Sequence, residues 1–129
     1  SRTYNSSDPQ TARALKKSVG GAYAAIDFVG AEASVNYGLN TLRKGGKLVV
    51  VGLFGGALTM PIPFLPMNAR TIEGSYVGSL ADMGELMTMV RDGKIAPIEI
   101  QERPLSDASD ALSDLKAGKV QGRQVLVNG

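Results

Sequence analysis

The chain has 129 residues, 43% of them hydrophobic and 20% charged, and its 14 basic and 12 acidic residues leave a net charge of +2. That composition belongs to ordinary globular domains and excludes the disordered class, and at this length roughly two-thirds of the unfolded surface can be buried in one domain. With neither cysteine nor histidine, the chain cannot form a disulfide or a zinc site of the usual kind, so no metal ligand and no catalytic residue is assigned.

Asp8-Pro9 is a helix-start signal, and Ala12, Leu15 and Val19 supply an apolar face up to the Gly20-Gly21 stop. Ala24 to Val29 is apolar except for Asp27 and reads as a buried strand ended by Gly30. Asp27 is expected to cap a neighbouring backbone amide, the ordinary fate of a carboxylate within a buried strand. A second helix follows from Ala31, with Val35, Leu39 and Leu42 at i, i+4 and i+7, ending at Arg43, Lys44 and Gly45.

Lys47 to Leu53 (KLVVVGL) is apolar on both faces, as a central parallel strand must be when helices cover both its sides. Ala57 to Pro66 carries prolines at 61, 63 and 66, which restricts it to an edge strand or an extended loop. Thr71 to Val77 reads as another strand. Ser79 and Asp82 make a capping box for a third helix with Met83, Leu86, Met87 and Val90 on one stripe, stopped by Asp92-Gly93. Ile98 to Gln101 is a short strand, Ser106 caps a fourth helix through Leu115 to Gly118, and Gln124 to Val127 is the last strand.

Strands alternating with helices of this length predict the α/β class: a parallel sheet with flanking helices. Ligands of such sheets bind beyond the carboxyl ends of the strands. Those ends are Phe28-Val29-Gly30, Val51-Gly52-Leu53 and Ser75-Tyr76-Val77, small residues beside an aromatic or aliphatic one, suited to a flat ring. Gly52, Gly55 and Gly56 are not a dinucleotide fingerprint, because a proline-rich segment follows them where a helix is required. Ser75 has no histidine to activate it. Arg123 matches phosphate chemically but by spacing alone reads as a solvated arginine. The basic residues are scattered without aromatic interleaving, which argues against nucleic acid, and no apolar run approaches the roughly 18 residues of a membrane span. A soluble, cytoplasmic protein is expected.

Three stretches, IDFVGAEASVNYGLNTLRKGGKLVVVGLFGG, RTIEGSYVGSLADMGELMTMVRDGKI and PLSDASDALSDLKAGKVQGRQVLVNG, closely resemble the C-terminal part of medium-chain, zinc-type alcohol dehydrogenases. The likeness runs from about Asp8 onward and includes the order of the segments. It implies the C-terminal half of a dinucleotide-binding, Rossmann-like domain, whose glycine fingerprint and acidic ribose ligand lie in a first half that precedes Ser1. Residues from about 98 to 129 would return toward a catalytic domain that this stretch lacks. By this resemblance Phe28, Val29 and Gly30 lie near the adenosine side of a bound NAD or NADP. Val51, Gly52 and Leu53, with Ser75, Tyr76 and Val77, present backbone to the nicotinamide. Arg123 matches an arginine near the pyrophosphate. Leu58 to Ile62 looks like the strand through which the family forms homodimers. The family's zinc ligands have no counterpart here, so zinc is expected only in the absent half, and these residues alone are expected to bind the cofactor weakly and not to turn over. Small alcohols, aldehydes or ketones would be the parent's substrates. A zinc-free quinone reductase of the same superfamily shares the pattern. "LRKGGKLVVVG" also resembles a methyltransferase strand, and a non-enzymatic dimerisation module is the third alternative.

Overall fold

The computed structural model describes residues 2–8 and 10–128, which divide into two compact units, one up to Val77 and one from Gly78. The α/β class expected from the sequence is the one found. In the first unit the chain runs α1 (Thr11–Val19), β1 (Ala22–Asp27), α2 (Glu32–Thr41), β2 (Leu42–Val50), α3 (Phe64–Asn68) and β3 (Thr71–Gly74). The three strands pair in parallel in the order β1-β2-β3. The core of the unit is small and lies where α2 meets β2: Val35 and Leu39 pack on the fully buried Leu42 and Leu48, with Ala22, Ala25, Val50 and Met60 around them. Gly38 permits that contact, since a Cβ there would come within 2.8 Å of Leu48 Cδ1.

Several elements depart from the sequence reading, each for a local reason. α1 starts at Thr11, with Gln10 as its cap residue, while Asp8 Oδ1 accepts the Gln10 amide at 2.9 Å; Pro9, half of the expected start signal, lies outside the described residues. α2 stops at Thr41, before the Arg43-Lys44-Gly45 signal, because Leu42 turns extended (ψ 143°) to bury its side chain in the core. Arg43 to Gly46 form an irregular bulge between the paired residues Leu42 and Lys47, opened by Gly45 at φ +72°. The Arg43 guanidinium there stacks on the Tyr23 ring, 3.4 Å from its centroid. β1 is a half-open edge strand and not a buried one: among the described residues β2 covers only one of its sides, and Tyr23 and Ile26 are exposed.

Among the described residues the proline-rich stretch has no ladder partner, as befits a segment poor in N–H donors. Its last residues form α3, a helix absent from the sequence reading, in which Pro66 falls within the first turn, where its missing N–H costs nothing. Arg70 anchors α3 to β2: its Nη2 donates to Leu42 O at 3.1 Å and its guanidinium lies 4.5 Å from the Phe64 ring centroid.

The second unit comprises α4 (Leu80–Arg91), β4 (Ile100–Pro104), a 3₁₀ turn over Leu105–Asp107, α5 (Ala108–Lys116) and β5 (Arg123–Val127), with β4 and β5 paired in parallel from Ile100↔Arg123. The Ser79 and Asp82 capping box is present: Ser79 Oγ accepts the Asp82 amide at 3.1 Å and Asp82 Oδ2 accepts the Ser79 amide at 2.7 Å. The Ser79 amide, and after it the Ser79 hydroxyl that donates to Oδ2 at 2.7 Å, hold the Asp82 carboxyl below the usual carboxylate range. Ser106 does not cap α5; it sits inside the 3₁₀ turn and its hydroxyl donates to Asp107 Oδ1. Arg103 joins the ladder to α5 by donating from Nη1 to Asp114 Oδ2 at 3.0 Å. Among the described residues no helix is long and apolar enough to cross a membrane.

Candidate functional site: the strand tips of the first unit

Parallel pairing brings the carboxyl ends of β1, β2 and β3 to one edge of one sheet, and with them nine of the ten residues singled out from the sequence. Phe28, Val29 and Gly30 follow β1, Val51, Gly52 and Leu53 follow β2, and Ser75, Tyr76 and Val77 follow β3. Arg123 is the first residue of β5, in the second unit.

The tips are joined through backbone. Asp27 O accepts from the amides of Val51 at 2.8 Å and Gly52 at 3.1 Å, Val29 O accepts from Phe54 at 3.1 Å, Gly30 O from Gly55 at 3.1 Å, and Val50 O from Ser75 at 2.9 Å. Gly30 takes φ +71°, and a Cβ on it would run into the Gly52 carbonyl; a Cβ on Gly52 would run into the Val29 carbonyl. Each glycine therefore leaves room for the other, and the result is a bare backbone surface across two strand ends. Around it the larger side chains point to solvent: Tyr76 is 75% and Leu53 79% exposed. Val77 adopts φ +46°, a conformation that costs a β-branched residue on the order of 1–3 kcal/mol and is found mostly where a site demands it.

Beneath this surface lies Asp27, 7% exposed. Its Oδ1 accepts from the amides of Val29 at 2.9 Å and Gly30 at 3.2 Å, and its Oδ2 accepts from the Ser34 hydroxyl at 2.8 Å. The expectation that Asp27 caps backbone amides is met. Ser34, which sequence reasoning passed over, also accepts the Ala31 amide at 3.1 Å and so closes the first turn of α2. An apolar cleft of about 230 Å³, lined in part by Gly30, Val35, Val50, Gly55 and Ile72, opens beside the tips. A larger groove of about 490 Å³ runs along the unpaired edge of β1 between Leu15, Ala24, Ile26, Tyr37 and Thr41.

Chemically, the tips offer amides, carbonyls and exposed rings, without a nucleophile and base pair. Among the described residues there is no cluster of histidine, cysteine, aspartate or glutamate able to hold a metal.

Comparison with known proteins agrees with this architecture. The chain is 36% identical over 107 residues to an NAD-dependent alcohol dehydrogenase of Sulfurisphaera tokodaii, covering 83% of this chain and 31% of that protein. It is 33% identical over 124 residues to an alcohol dehydrogenase of Moraxella sp., covering 96% of this chain and 36% of the relative. The crystal structure of the alcohol dehydrogenase of the hyperthermophilic archaeon Aeropyrum pernix superposes with a TM-score of 0.81 at 32% identity, over 92% of this chain and 35% of that one. The chain thus spans about a third of the length of the relatives it matches. Residues 1–92, which include every strand tip described above, match the family described as zinc-binding dehydrogenase, and the chain belongs to that family.

Proposed function

We propose that this chain is the cofactor-binding C-terminal part of an NAD(P)-dependent alcohol dehydrogenase-like oxidoreductase. The observation that carries the reading is the reciprocal contact of Gly30 and Gly52, which clears side chains from two adjacent strand ends, where an open α/β sheet binds its ligands. When bound, the nicotinamide would accept or deliver a hydride. Phe28, Val29 and Gly30 would border the adenosine side. Val51, Gly52 and Leu53, with Ser75, Tyr76 and Val77, would offer backbone groups to the nicotinamide, and Arg123 would meet the pyrophosphate.

The whole protein would act in the cytoplasm on a small alcohol, aldehyde or ketone, with zinc held by residues outside this stretch. The open edge of β1 and the groove beside it are where the first half of the dinucleotide-binding sheet would add. Residues from about 98 onward would lead back to a catalytic domain. Leu58 to Ile62, which has no ladder partner among the described residues, would pair with its copy in a homodimer.

Fluorescence titration with NADH and NADPH tests the reading. The protein in its full encoded length should saturate with one of them, while the 129 residues alone bind weakly, because the helix N-terminus that would hold the pyrophosphate lies elsewhere. Failure of the full-length protein to bind either nucleotide would overturn it.

A further inference from the structure

Asp27, whose carboxylate is nearly buried and lies in the lining of the groove beside β1, makes hydrogen bonds to both strand tips. Through its side chain it holds the Val29 and Gly30 amides and the Ser34 hydroxyl; through its carbonyl it receives the Val51 and Gly52 amides. Five bonds from two strands and a helix therefore converge on one residue. Among the described residues no ion pair involves it, so hydrogen bonding alone keeps it satisfied. Gly30 and Gly52 tolerate no added atom between them. A change in the turn that carries Gly30 must therefore displace the Gly52 backbone too.

We infer that Asp27 and Ser34 are positioning residues for cofactor binding, setting the backbone of Gly30 against that of Gly52 so that a nicotinamide nucleotide can lie across both. This rests on the cofactor reading above. The geometry also specifies the substitution that should be tolerated. In Asp27→Asn, the amide oxygen accepts the Val29 and Gly30 amides. Its nitrogen donates to Ser34 Oγ, whose own proton turns to Ala31 O, 3.0 Å away. In Asp27→Ala, the part-buried Val29 and Gly30 amides lose their acceptor, and the Ser34 hydroxyl is left with Ala31 O alone.

Dissociation constants for NADH and NADPH, measured on the full-length protein beside thermal midpoints, decide the matter. D27A should weaken binding about tenfold or more, S34A about threefold, and D27N less than twofold, a ranking set by how many donors each leaves unpaired. If wild type binds neither nucleotide, the cofactor reading fails and this inference with it. If wild type binds and D27A or S34A binds as tightly while only its midpoint falls, the residues are merely structural and the inference alone is overturned. Equal loss in D27N and D27A would overturn it as well, since the hydrogen bonds survive in the former. Should D27A not fold, S34A against D27N still separates these outcomes.

Discussion

The two units solve the same problem, a parallel ladder flanked by helices, with different means. In the first, α2 lies so close on β2 that Gly38 is needed at the contact, and two leucines are removed from solvent entirely. In the second, Ala111 is the buried hydrophobic residue, and the stripe of α4 formed by Met83, Leu86, Met87 and Val90 remains 42% to 54% exposed. A two-stranded ladder has little independent stability in water. What organises the second unit is local: the Ser79 capping box and the Arg103 to Asp114 bridge. Packing thus fixes the sheet of the first unit, whereas hydrogen bonds near the surface organise the second, and substitutions should separate the two.

The largest effect is expected at the glycine pair. Gly52→Val places side-chain atoms on the Val29 carbonyl, which cannot retreat because its oxygen holds the Phe54 amide; a loss of at least about 3 kcal/mol, or failure of the first unit to fold, should appear in urea denaturation. Leu48→Ala comes next. Emptying a fully buried site beneath α2 should cost about 3 kcal/mol. Met87→Ala in the second unit, already half exposed, should cost less than about 1 kcal/mol. Similar losses from the two truncations would erase the distinction between the units.

Much of this contrast is legible in the sequence, though unevenly. The α4 boundaries follow from residues that act on their own neighbours, Ser79 on Asp82 and Gly93 after the last turn, so local chemistry sufficed. The end of α2 was misplaced because the signal at Arg43 to Gly45 is local too, and burial of Leu42 overrides it from across the sheet. α3 was hidden by Pro66, which reads as a helix breaker until its position within the first turn is known. The strand tips are legible because strand ends rich in glycine mark themselves. Ser34 is not legible in this way, since the N-cap residue Ala31 has no side-chain oxygen to announce a capping box and the bond to Asp27 spans seven residues. The reciprocity of Gly30 and Gly52, 22 positions apart in sequence, is visible only in the folded chain.

Smaller effects belong to the second unit. Ser79→Ala removes the acceptor of the Asp82 amide and should cost about 1 kcal/mol, read as lost helicity by circular dichroism. The smallest is a pH dependence at Asp114. The hydrogen bond from Arg103 is the main reason its carboxyl sits below the usual range, with the Lys119 charge adding to it. A carboxyl depressed in the folded state binds its proton more readily once unfolded. Its contribution is therefore complete above the unfolded value near 4 and fades as pH falls through the folded one. Asp114→Asn should lower the urea midpoint of the second unit slightly at pH 7 and leave it equal to wild type in strong acid. Added salt should narrow the gap at pH 7, because Asp114 is partly and Lys119 largely exposed to solvent. A gap that persisted unchanged into acid would mean that Asp114 supports α5 through the shape of its side chain and not through its charge.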